Sequence, residues 1–98
     1  MERTYYVYIL ASRRNGTLYI GVTNNLENRV RLHKQGIGSK FTGKYGVSRL
    51  VYFEQFDDIR AAIARETRLK KYKRTWKMNL IQRENLEWID LAEYLNEQ

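Results

Sequence analysis

The chain has 98 residues, 43% hydrophobic and 13% aromatic, with 18 basic side chains against 11 acidic ones for a net charge of +7. That length gives one domain with one modest core, and no apolar run approaches the roughly 18 residues a membrane span needs. The absence of cysteine excludes a disulfide framework and fits a reducing cytoplasm, while the charge favours an anionic partner, nucleic acid before an acidic membrane.

The opening residues, "MERTYYVYIL", lack the basic start and long apolar middle of a secretory leader. "TYYVYILA" is aromatic and β-branched, and "TLYIGV" follows after "SRRNG", so the pair predicts a hairpin turned at Asn15-Gly16. Asn24 or Asn25 caps a helix over Leu26 to Gln35, and Gly36 sits where helices often stop. A glycine-rich loop, "QGIGSKFTGKYG", leads to a third strand in "SRLVYFEQF". Asp57 or Asp58 then caps a long helix from Ile59 past Leu69. Thr75 restarts a helix through "WKMNLIQR", and Asp90 with Glu93 forms a capping box for a short terminal turn. The order β-β-α-β-α-α predicts an α/β fold in which helices cover a small, mostly antiparallel sheet. It makes one domain over residues 1–98, with a core over about 4–91 and an acidic tail at 92–98.

Two helices break their own apolar pattern. At about 100° per residue, Arg29 and His33 fall within the arc marked by Leu26 and Val30, while Glu27, Asn28, Arg31, Lys34 and Gln35 take the opposite side. In the later helix Glu66 falls in the seam of Ile59, Ala62, Ile63 and Leu69. Burying an unpaired charge costs several kcal/mol, against roughly 2 kcal/mol gained by an aliphatic side chain at the same place. Something must compensate. One arrangement is an internal Arg29–Glu66 pair serving only the fold. The other is a shared cleft in which a metal ion meets the carboxylate and a phosphate meets the cation.

The tyrosines cluster as well. Tyr6 and Tyr8 alternate onto one face of the first strand, and a hairpin through Asn15-Gly16 brings Tyr19 beside them. "YVYIL", then "LYIG", then "NLENRVRLH", then a glutamate in "AIARETRLKKY" together resemble the GIY-YIG nuclease domain family, and are closest to its small single-domain bacterial members. The likeness runs from Tyr5 to about Leu91.

The resemblance implies a three-stranded antiparallel sheet flanked by helices, and metal-dependent cleavage of DNA phosphodiesters. The family's first triplet falls on Tyr6-Val7-Tyr8, with Tyr6 in the place of the glycine, and the second on Tyr19-Ile20-Gly21. Its helix arginine falls on Arg29, its histidine on His33 and its metal-binding glutamate on Glu66, the residues the helical pattern had already marked. For the family's late asparagine both Asn79 and Asn85 are available, with Asn85 preferred.

These residues carry the expected chemistry. Glu66 holds one Mg²⁺ or Mn²⁺, Arg29 grips the scissile phosphate with its planar fork, Tyr8 is the candidate base and Tyr19 orients water or phosphate. A tyrosine near pKa 10 is a poor base at neutral pH unless nearby cations lower that value, a role expected of the basic chain and the metal together, and His33 either holds a tyrosine hydroxyl or takes the proton itself. Gly21 permits close approach. Lys40, Thr42, Lys44, Lys70, Lys71, Lys73 and Arg74 are the expected phosphate contacts, and they position without reading sequence. One histidine and no cysteine argue against structural zinc, and neither a Gly-x-Ser-x-Gly elbow nor a phosphate-cradling Gly-Lys-Ser/Thr loop occurs. No small-molecule cofactor and no membrane partner are expected. The rival reading is a non-catalytic nucleic-acid-binding module with the same fold and basic face.

Overall fold

A strand that is apolar on both faces belongs in the middle of a sheet covered on both sides, and "YVYILA" takes that place. In the computed structural model, which describes residues 3–97, β1 (Tyr5–Ala11) lies between β2 (Leu18–Thr23) and β3 (Arg49–Phe56), antiparallel to both. Asn15, at φ 58°, takes the left-handed turn position that its short side chain tolerates, and Gly16 N–H donates to the Arg13 carbonyl. Arg74 fastens this turn from outside, its guanidinium donating to the carbonyls of Asn15 and Gly16 at 2.8 and 2.6 Å.

The helices are α1 (Leu26–Lys34), α2 (Lys40–Tyr45), α3 (Ile59–Lys71) and α4 (Arg74–Glu84), followed by a terminal 3₁₀ helix (Leu91–Glu97). Two cores follow from the alternation of β1. Val7, Ile9 and Ala11 face Ile20, Val51, Ala62, Leu69, Ile81 and Trp88, on the side covered by α3 and α4. Tyr8 and Leu10 face Leu26, Val30, Val47 and Leu50, on the side covered by α1 and the 3₁₀ helix. A bulge opposite Ile9 and Leu10 turns both Val51 and Tyr52 toward the first core.

Asn25 caps α1 through a side-chain bond to Asn28 N–H, and Asp58 caps α3 through Arg60 N–H. The stretch expected as a plain glycine-rich loop contains α2. Ser39 caps it by accepting from Thr42 N–H, and Gly46 closes it at φ 62°. Six residues are too few for a periodicity to register, and glycine on either side reads as loop.

The apolar seam expected for α3 also differs. Ile59 and Ile63 are 39% and 47% exposed, and the helix turns Ala62, Arg65, Glu66 and Leu69 inward instead. The reason lies on β3, where Glu54 receives two parallel bonds from Arg65 at 2.8 Å together with the Tyr52 hydroxyl. Burial alone would raise the Glu54 carboxyl, but the Arg65 and Tyr52 hydrogen bonds outweigh it and hold the group ionised. At the C-terminus the capping box is replaced by a longer reach. Asp90 accepts from Ala92 N–H and Leu50 N–H and pairs with Lys34, so it pins the terminal helix to the sheet and to α1.

Asn85, expected near the site, instead locks the end of α4. Its amide donates to the carbonyls of Val51 and Ile89 and accepts from Ile89 N–H, at 7% exposure, beside β3 and across the sheet from β2. Three backbone groups lose their bonds if the amide is removed, the Val51 carbonyl among them buried. Asn85→Ala should therefore cost about 2–3 kcal/mol of folding free energy in urea denaturation, whereas Asn79→Ala on the exposed side of the same helix should change it by less than about 0.5 kcal/mol.

Candidate active site

Tyr8 points its phenol from the centre of the sheet toward β2, and the register explains how. Gly21 stands directly opposite Tyr8, and a Cβ there would lie 2.4 Å from the Tyr8 hydroxyl oxygen. The missing side chain is therefore the gap through which the ring crosses the edge strand. Tyr19, two residues earlier on β2, shares that face, its ring centroid 6.4 Å from that of Tyr8.

His33 comes from the last turn of α1. Its Nε2 lies 3.1 Å from the Tyr8 hydroxyl and its Nδ1 lies 2.8 Å from the Thr42 hydroxyl on α2. The imidazole sits 5.3 Å from the Tyr19 ring, centre to centre. Gly38 closes the loop over it, since a Cβ there would meet Nδ1 at 2.4 Å.

The charges of Arg29 on α1 and Glu66 on α3 both act on the same hydroxyl. The Tyr8 phenol is pushed far above its ordinary value, first by burial, then by the neighbouring Tyr19, while Arg29 pulls it down and Glu66 raises it. At a side chain only 2% exposed, desolvation outweighs the one neighbouring guanidinium, so the protein's own cations do not by themselves lower this group. His33 moves the other way. Burial and then the Arg29 charge depress its pKa, so the ring is neutral at neutral pH.

No ion pair joins Arg29 to Glu66. Among the described residues Glu66 is paired with Lys70, one turn on, at 3.5 Å, and Arg29 enters none of the ion pairs. The purely internal arrangement is thereby set aside, and Arg29, half-buried, keeps its fork available. Among the described residues no group of three metal-ligating side chains exists. A single, mostly buried carboxylate suits a hard divalent cation that retains its waters and takes phosphate oxygens for the rest of its shell. Glu66 fits that description.

Of the expected phosphate contacts, Lys40, Lys44, Lys70, Lys71 and Lys73 are exposed. Thr42 is not, at 1% exposure beneath α2, where its hydroxyl serves His33 and Ser39. Arg74, although exposed, is engaged with the hairpin turn. Beside Tyr19 opens a cleft of about 300 Å³ lined by Leu18, Ile20, Phe41, Lys70 and Lys77. Phe41 stacks on Tyr19 with centroids 6.2 Å apart. The sequence reading missed Phe41, Lys77 and the service of Ser39 and Thr42 to His33. The one available signal was Ser39 three residues before Thr42, the spacing of a helix cap.

Residues 4–79 match the family model described as GIY-YIG catalytic domain. A UPF0213 protein of Clostridium perfringens is 44% identical over 82 residues, 84% of this chain and 87% of that one. A UPF0213 protein of Haloquadratum walsbyi is 41% identical over 80 residues, 82% of this chain and 89% of that one. The solution structure of a UPF0213 protein from Bacillus halodurans superposes with a TM-score of 0.56 at 28% identity, over 94% of this chain and 97% of that one.

The depressed His33 pKa has a thermodynamic consequence. The unfolded chain binds a proton at His33 near pH 6.5 while the folded chain does not, so stability rises with pH and is lost as pH falls through 6.5 toward the folded value. The urea midpoint should accordingly fall between pH 8 and pH 5.5, above the carboxylate range, and His33→Gln should flatten that slope. An equal slope in both proteins would show that His33 is not held neutral by the fold.

Proposed function

The chain belongs to the GIY-YIG catalytic domain family, and from that premise we propose that it is a metal-dependent endonuclease hydrolysing phosphodiester bonds in DNA. The observation that carries this reading is the meeting of Tyr8, His33, Arg29 and Glu66 at one edge of the sheet, with neither charge spent on the other.

Hydrolysis needs a water relieved of its proton and stabilisation of the charge that grows on the phosphate oxygens. Burial and the neighbouring Tyr19 disfavour a standing Tyr8 phenolate, so Tyr8 works as a relay. The attacking water passes its proton to the Tyr8 oxygen as the Tyr8 proton passes to His33 Nε2, leaving a hydroxide equivalent at phosphorus and an imidazolium at His33. Arg29 binds the scissile phosphate through parallel N–H bonds that tighten as its oxygens gain charge. Tyr19, half-buried at the mouth of the cleft, orients the water or the phosphate. A divalent Mg²⁺ or Mn²⁺ ion bound at Glu66 supplies Lewis-acid stabilisation of the phosphate and of the leaving oxygen. Lys40, Lys44, Lys70, Lys71, Lys73 and Lys77 draw in the polyanion and hold flanking phosphates.

Two tests follow from these roles. Glu66→Gln, assayed on a panel of DNA structures with and without Mg²⁺ or Mn²⁺, should abolish metal-dependent nicking while DNA affinity stays equal or increases, since a carboxylate in a phosphate cleft repels its ligand. Unchanged nicking would remove Glu66 from the chemistry, and absence of metal-dependent nicking in the parent protein, with binding retained, would favour the non-catalytic module. In the relay, Tyr8→Phe and His33→Gln should each lower turnover by about 10²- to 10⁴-fold, and the double variant should be no slower than the slower single one. Multiplicative losses would mean that the two side chains act separately.

A further inference from the structure

We infer that Thr42 is a positioning residue that fixes the tautomer of His33, holding the proton on Nδ1 and leaving Nε2 as the acceptor that faces Tyr8. A neutral imidazole carries one N–H, and hydrogen-bond counting decides where it goes. The Thr42 hydroxyl has one proton and two lone pairs, and three neighbours. These are His33 Nδ1 at 2.8 Å, the Ser39 hydroxyl at 2.9 Å and the Ser39 carbonyl at 3.3 Å.

The carbonyl only accepts. If Thr42 gives its proton there, its two lone pairs receive the Ser39 hydroxyl and the Nδ1–H of His33, and all three contacts are made at once. Tyr8 then donates to the free Nε2, so its proton is also used. The opposite tautomer makes Thr42 donate to Nδ1. The bond to the Ser39 carbonyl is lost, and the Tyr8 oxygen must accept from Nε2–H while its own proton is left without the histidine.

The surroundings prevent escape from this choice. Thr42 is 1% exposed, and water does not replace the lost partner readily. Gly38 packs against the same edge of the ring, where a Cβ would meet Nδ1 at 2.4 Å and the ring Cγ at 2.6 Å, so no side chain there competes for Nδ1. Ser39 is held in turn by its cap bond from Thr42 N–H at 3.0 Å. The short helix α2 thus orients the proton acceptor through Thr42.

The kinetic part of this inference rests on the nuclease reading, and the structural part does not. Histidine occurs once in the chain, so a long-range ¹⁵N–¹H correlation spectrum of uniformly labelled protein at pH 7.5 reports the tautomer without assignment ambiguity. The parent protein should show the proton on Nδ1. Thr42→Val, equal in shape but without the hydroxyl, should move the population to the Nε2–H form or to a mixture, and Thr42→Ser should restore the parent spectrum. In the nicking assay Thr42→Val should lower kcat at least tenfold with KM changed less than twofold, and Thr42→Ser should recover most of the loss.

A parent protein with the proton on Nε2, or a Thr42→Val protein with the parent tautomer, overturns the inference. A shifted tautomer with unchanged kcat overturns the positioning role. If the parent protein cuts no substrate, the nuclease reading fails on its own terms and the spectra of the three folded proteins still decide the tautomer assignment.

Discussion

The Tyr8 hydroxyl is a polar group carried into the most buried strand of the sheet, and its need for a partner organises everything around it. An unsatisfied hydroxyl in the interior costs a few kcal/mol. His33 meets that need from α1, and the second ring nitrogen of His33 then requires its own partner, which α2 supplies through Thr42. The chain of bonds thereby links β1, α1 and α2. Gly21 and Gly38 are the two places where backbone gives way so that the phenol and the imidazole can lie where they do.

Charge is distributed by a different logic on the two sides of the sheet. Toward α3 and β3, Glu54 and Arg65 satisfy each other in a two-bond pair with the Tyr52 and Tyr72 hydroxyls attached. At the edge of β2, Arg29 and Glu66 are brought near the same phenol without being joined. Adjacent residues on one helix, Arg65 and Glu66, therefore face two fates. Arg65 is spent on a strand-borne carboxylate, whereas Glu66 pairs only with Lys70 one turn on, because only the first has an opposite charge waiting on the strand beneath it.

The basic surface extends this division. Lys70 touches Glu66 and also lines the cleft beside Tyr19, where Lys77 of α4 joins it. Arg74 closes the hairpin turn from outside, so a cation that composition alone assigns to a polyanion is occupied with the fold. Exposed lysines on α2, α3 and the segment before α4 remain for long-range attraction, which depends on field and not on individual geometry.

The amino-acid sequence by itself determined the hairpin, the third strand, the helix caps to within one residue (Asn24 or Asn25, Asp57 or Asp58), and the anomaly of Arg29, His33 and Glu66. Each of these depends on neighbours within a turn or a strand pair, where alternation, helical spacing and cap chemistry act directly. It did not reveal α2, the inward face of Arg65, the role of Asn85 or the burial of Thr42. Those were decided by partners on other elements: Glu54 rotating α3, Val51 capturing the Asn85 amide, and His33 drawing Thr42 under the surface. The same holds for Tyr8, whose ionisation a net charge of +7 favours and burial opposes. Net charge is summed over the molecule, but a hydroxyl's pKa is set within a few ångströms of its oxygen, and only tertiary packing fixes what stands there.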